Sequence, residues 1–279
     1  MLFSEVQSIF SEADTADMVF VYFLPIKSKC HRGMSGNFII VISMKKYYLI
    51  VLTIISIAGM LASCNGKTAD AESDGTVDNV ATTGTLNGHE WVDLGLSVNW
   101  ATCNIGASNP KEYGDYFSWG ELSTKESYEW TTYSMCKGSD NTLTKYCNVS
   151  KYGESDFTDN LTTLESSDDA ATANWGKEWR IPTRTELQEL LDKCTWTWMD
   201  NGYEVKGVNG NTIFFPLPGS KSGRALFDDG KRGHYWSNSV NTDYPCYSYD
   251  IFLDSINHKI SYENRLYGSS IRPVCAKKN

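Results

Sequence analysis

The sequence predicts an α+β fold in which two helices pack on small antiparallel sheets joined by long irregular loops. Three observations carry this. Trp175–Leu191 runs from a Trp-Gly corner through a short strand to a proline and into a helix: Thr183 stands at an N-cap position with Glu186 three residues on, the spacing of a capping box. Short alternating apolar segments broken by Gly, Asn and Pro recur on either side of it. Leu122–Ser166 is rich in Ser, Thr, Asn, Asp and Tyr and shows little apolar periodicity. A stretch that long without elements tends to be functional or mobile.

In chain order, Met44-Lys45-Lys46 opens a basic segment, Tyr47–Met60 is apolar apart from Thr53 and Ser56, and Leu61-Ala62-Ser63-Cys64 closes it. This is the layout of a secretory signal, and the apolar run is shorter than a spanning helix needs. Leu-Ala-Ser-Cys resembles the lipobox of bacterial lipoproteins, which implies cleavage before Cys64, acylation of its thiol and outer-membrane anchoring by lipid. Residues 1–43 hold four carboxylates and a second apolar patch ahead of that signal, so they read as a mis-called N-terminal extension, with 44–63 the signal peptide. Residues 64–85 are mostly small and acidic and read as a lipidated flexible tether, leaving 86–279 as one folded domain. In Bacteroides-group lipoproteins, acidic residues soon after the cysteine resemble a surface-export signal, and Asp70, Glu72 and Asp74 point that way.

Within the domain, 89–94 and 97–102 read as a hairpin around Gly95, 114–121 as a third strand with aromatics on both sides, and 168–175 as a short helix ended by Gly176. On the helix from 183 to 194, Leu187, Leu190, Leu191 and Cys194 form one apolar stripe. Asp200-Asn201-Gly202 turns a hairpin, 212–216 is a strand, 219–233 is a Gly-, Lys- and Arg-rich loop, and the segments 234–238, 247–253, 258–262 and 270–275 are closing strands. All nine tryptophans lie between Trp91 and Trp236, which favours one core.

The net charge is −9. Five of the 25 basic and four of the 34 acidic residues precede residue 65, so the remainder carries 20 against 30, a net of −10. Such a surface argues against nucleic acid as a partner and against charge-driven docking on anionic lipid, leaving the lipid anchor as the membrane contact.

Several separated segments match one pattern: Trp91–Gly106, Tyr113–Glu121, Asp168-Asp-Ala-Ala171, Trp175–Leu190, Asn209–Phe214, Gly233-His-Tyr-Trp-Ser237 and Ile271-Arg-Pro-Val274. Together they resemble the Fibrobacter succinogenes major paralogous domain of Bacteroides-group surface lipoproteins, which is similar to the C-terminal domain of a collagen-like Legionella adhesin. The resemblance implies a C-type-lectin-like fold, in which the aromatic strands of 234–275 pair back to 91–102. It implies a cell-surface binding protein or adhesin for a glycan or a surface protein.

Tyr235–Tyr267 supplies the candidate ligand residues. Of its 33 residues, Tyr, Ser, Asn and Asp make up 18, the mixture recognition loops use: rigid amphipathic rings beside adaptable hydrogen-bonding groups. Tyr235, Trp236, Tyr244, Tyr247, Tyr249 and Tyr262 are the rings able to stack on a sugar, although alternate strand residues also fill a sheet's two faces. Cys136 and Cys147 bracket part of the polar loop and are a candidate disulfide. The sugar-binding motifs of calcium lectins are absent, so neither metal nor cofactor is expected. Asp168-Asp169 and Asp228-Asp229 read as a helix start and a turn. No nucleophile, base and orienting group fall together, so no catalysis is expected. The alternatives are a structural or accessory subunit of a surface assembly, and a polysaccharide-acting enzyme.

Overall fold

The computed structural model describes residues 18–22, 40–44 and 82–277, which fall into two compact units, 1–74 and 75–279. In the first, strands β1 (Met18–Tyr22) and β2 (Ile40–Met44) pair antiparallel. The signal segment beyond Met44, Cys64 and most of the tether lie outside the described residues.

The second unit begins with β3 (Thr83–Leu86), so the last three residues assigned to the tether are strand. Strand β3 pairs with β4 (His89–Asp93), and β4 with β5 (Val98–Ala101). Next come α1 (Ala170–Trp175), β6 (Trp179–Arg180) and α2 (Arg184–Lys193). The strands β7 (Thr195–Met199), β8 (Gly202–Lys206) and β9 (Thr212–Pro216) form one antiparallel sheet. A small hairpin joins β10 (Ser220–Ser222) to β11 (Ala225–Phe227). Then β12 (Gly233–Val240), β13 (Tyr247–Leu253) and β14 (His258–Asn264) form a three-stranded sheet, and β15 (Val274–Ala276) inserts between β5 and β6.

The expected C-type-lectin-like fold is corrected by this architecture. Strand outweighs helix by 37% to 14%, and the strands are divided among separate small sheets. Of the aromatic strands that were to pair back to 91–102, only β15 does so; β12, β13 and β14 make a sheet of their own. The segment 114–121 is not a regular strand, because Tyr116 to Gly120 are all buried and its backbone bonds are shared out: Phe117 exchanges N–H···O bonds with Ser269, and the Trp119 N–H donates to the Arg265 carbonyl.

The capped helix forms as the sequence dictates. The Thr183 side chain accepts the Glu186 N–H, and the Glu186 carboxylate accepts the Thr183 N–H at 2.8 Å. Burial works against ionising Glu186, but a bidentate Arg180 contact and these N–H bonds hold its carboxyl below the usual range. Asp169 does the same for α1, accepting Thr172 N–H while its other oxygen accepts Ile181 N–H.

Two clusters form the core: one around Trp119, Trp179 and Trp236, the other around Trp100, Leu187, Phe215 and Ile251. Indole N–H groups stitch the first together, Trp119 donating to Ser237 O at 2.8 Å and Trp236 to Phe117 O at 2.7 Å. Two fully buried arginines, Arg265 and Arg272, pin the loops, and their donors go to neutral oxygens, the Met135 thioether and ring faces. Arg265 donates to Tyr133 Oη and to the Lys145, Tyr146 and Pro245 carbonyls, and its guanidinium lies 4.7 Å from the Trp119 ring. The 122–166 stretch therefore builds its own part of the core, burying Tyr128, Tyr133, Leu143, Tyr146 and Cys147.

Candidate functional site

The six ring residues singled out from the sequence separate into two groups. Tyr235 and Trp236 are 1% and 0% exposed, with Tyr235 Oη donating to Pro216 O and the indole to Phe117 O, so they are corrected from ligand contacts to core. The reason is that β12 is enclosed on both faces and along its free edge, where Tyr235 bridges to Ser270. The other four share one end of the β13–β14 ladder. Tyr249 and Tyr262 are register partners, and the Tyr247 and Tyr262 rings meet edge to face at 5.5 Å. Tyr262 is 51% exposed, and so is Tyr244 at 49%, on the turn where Asn241 Oδ1 accepts its N–H.

Arg184, the first residue of α2, completes this surface. Its guanidinium stacks on Tyr249 at 4.0 Å, and its backbone N–H reaches Ser239 Oγ. The side chain is exposed and holds no carboxylate among the described residues, leaving its planar donors for a ligand. Sequence reading missed it, because Arg184 and Tyr249 lie far apart in the chain; the capping box already gave its position at the helix start.

The opposite face of the same sheet carries a buried ionisable group. His234 Nδ1 lies 2.7 Å from Asp250 Oδ2 and 3.8 Å from Glu263 Oε1. Burial alone pushes the His234 imidazolium toward neutrality, but the Asp250 bond and the Glu263 charge outweigh it and raise its pKa. Burial likewise raises both carboxyls, Asp250 and Glu263. The second Asp250 oxygen and the neighbouring Ser248 Oγ are buried without a hydrogen-bond partner.

Cys136 and Cys147 are buried free thiols in this structure, donating to Trp130 O and Val149 O. The loop between them is closed by backbone bonds instead, with Thr144 N–H donating to Met135 O. Asp228 pairs with Arg232, and Asp169 is spent as a cap. Among the described residues no three His, Cys, Asp or Glu side chains gather to hold a metal, and no helix is long and apolar enough to cross a membrane.

No protein family, no curated protein and no solved structure matches the chain.

Proposed function

We propose that the chain is a lipid-anchored cell-surface recognition module that binds a glycan or protein ligand without chemistry of its own. The observation that carries this is the surface of Tyr244, Tyr247, Tyr249 and Tyr262, with Arg184 stacked at its margin. Tyrosine offers large contact area at small entropic cost, and partly exposed rings flanked by unspent donors are what a recognition surface requires. The basic-apolar segment ending at Cys64 supports the anchor and the acidic residues after it support outward display. The resemblance to the Fibrobacter succinogenes major paralogous domain supports the same reading and rests on residues that mostly build the core.

The test is a glycan array together with a pull-down from surface-protein extract, using the purified full-length chain and a Tyr247→Ala/Tyr262→Ala variant. Ligand capture by the parent and its loss in the variant is the expected result. A variant that captures every ligand the parent captures, on the array and in the pull-down alike, removes the tyrosine surface from the reading, whereas one ligand lost among others kept supports it. Silence on the array with co-purifying lipoproteins would favour a structural subunit instead. Labelled palmitate should appear on the parent and not on Cys64→Ser.

A further inference from the structure

We propose that the outer face of the β7–β9 sheet, walled by the 109–111 turn, is a second binding site, a preformed groove for a neutral oligosaccharide. Its main cavity is about 560 Å³ and is lined by Pro110, Lys111, Met199, Asp200, Glu204 and Phe214, among others. A further 210 Å³ continues from it, sharing Pro110, Glu204 and Phe214 and reaching Thr102 and Thr212. The groove thus follows β8 from the Gly202 end, paired with Met199, to the Lys206 end, paired with Thr212. That run is about 13 Å at the ordinary rise of a strand. The size is that of a small-molecule site.

The groove is built and held in shape. Its wall is a turn closed on itself: Glu112 accepts the Ser108 N–H, the Ser108 hydroxyl and the Asn109 amide, while Asn109 Oδ1 accepts Lys111 N–H. One buried arginine ties wall to floor. Arg272 donates from Nη2 to Phe214 O at 3.0 Å and from Nε to Asn104 Oδ1 at 2.8 Å, and the Asn104 amide donates to Tyr113 O just beyond the turn. Gly114 completes the fit; its φ is +72°, and a Cβ there would sit 2.2 Å from Ile105 O. A site fixed in this way loses little ordering entropy when a ligand arrives.

The lining chemistry selects the ligand class. Phe214, Met199 and Pro110 give an apolar floor and side, and Met199 is 46% exposed. Asp200, Glu204 and Lys111 make no ion pair or side-chain hydrogen bond among the described residues, so their capacity faces the groove's contents. Two carboxylates and one ammonium leave a net charge of −1, which disfavours sulfated or uronate chains. Sugar hydroxyls are donors and acceptors at once: the carboxylates accept hydrogen bonds from them, Lys111 and the amide of Asn201 donate to them, and the apolar C–H face of a pyranose covers Phe214. None of this uses the tyrosine surface.

The test is calorimetric titration of the full-length chain with cellohexaose, maltohexaose and chitohexaose, with a heparin hexasaccharide as the anionic control. At least one neutral hexasaccharide should bind, and Phe214→Ala and Glu204→Gln should each weaken it about ten-fold, the loss of one good contact. Glu204 is exposed, so Glu204→Gln should leave thermal unfolding unchanged and separates lost binding from lost fold. Tyr247→Ala/Tyr262→Ala should bind the same sugar within about two-fold, since distant sites act independently. The proposal is overturned if none of the three neutral sugars binds, if only heparin binds, or if both groove variants bind as the parent does.

Discussion

Strands β12 and β14 flank β13 in the same small sheet and share its aromatic and polar composition, yet their side chains meet opposite fates. Seven of the eight residues of β12 are buried, and none of the seven in β14 is. Strand β13, between them, is mixed. The gradient comes from neighbours. Strand β12 is sandwiched by both core clusters and edge-bonded to Ser270, whereas β14 is the outer edge of its sheet and pairs with β13 alone there. A tyrosine on this sheet is therefore core or contact surface according to its distance from residues 269–271, not according to its local sequence.

The largest effect that would sharpen this contrast is at Trp236. Replacing it with Ala should cost about 3–5 kcal/mol in a denaturant titration, the usual loss for a buried tryptophan. Next comes the face behind the tyrosines. Asp250→Asn removes the charge that raises the His234 pKa, and breaking a buried ion pair on one side costs about 3–5 kcal/mol. The same group gives a pH signature. His234, Asp250 and Glu263 all bind their protons more tightly when folded, so their shares of the stability fall as pH rises, opposed below about pH 6.5 by His89 and His258, whose pKa values burial lowers. The His234 share is complete below about pH 6.5, its unfolded value, and disappears as pH climbs through the raised folded value. Thermal melts from about pH 6.5 to 9 should show this decline, and His234→Gln should flatten it. If the parent is flat above pH 6.5, the pairing is wrong.

Thr183→Ala should cost about 1 kcal/mol by removing one half of the capping box. The smallest effect belongs to β14, where Tyr262→Ala should change stability by no more than about 0.5 kcal/mol while impairing ligand capture. A large loss of stability there would break the contrast, because it would make Tyr262 part of the core.

What was legible in the sequence was local. Thr183, Glu186 and Pro182 fix the start of α2 within a few residues, and Asp169 and Gly176 bound α1 in the same way. The motif segments were legible as important but not as to why. Trp119, Trp236 and Arg272 come from three of them, and all three spend their polar atoms on bonds between segments more than 50 residues apart. Such residues hold the fold and leave ligand contacts to others. Tyr235 and Trp236 carry the same composition signal as Tyr247 and Tyr262, so burial could not be read before the sheet order was known. The lectin-like expectation failed for a related reason: strand segments can be found by pattern, but which of them pair is decided by contacts across the whole chain. The groove was invisible for the same cause, since Pro110, Met199 and Phe214 meet only after three elements have packed.

The insertion of Val274–Ala276 between β5 and β6 has a consequence for synthesis. Strands β5 and β6 have no direct ladder with each other, so their sheet stays open until residues synthesised more than 170 positions after β5 arrive. A growing chain that lacks that segment cannot close its main sheet, so this ladder forms only after α1, α2 and the β7–β9 and β12–β14 sheets have been synthesised.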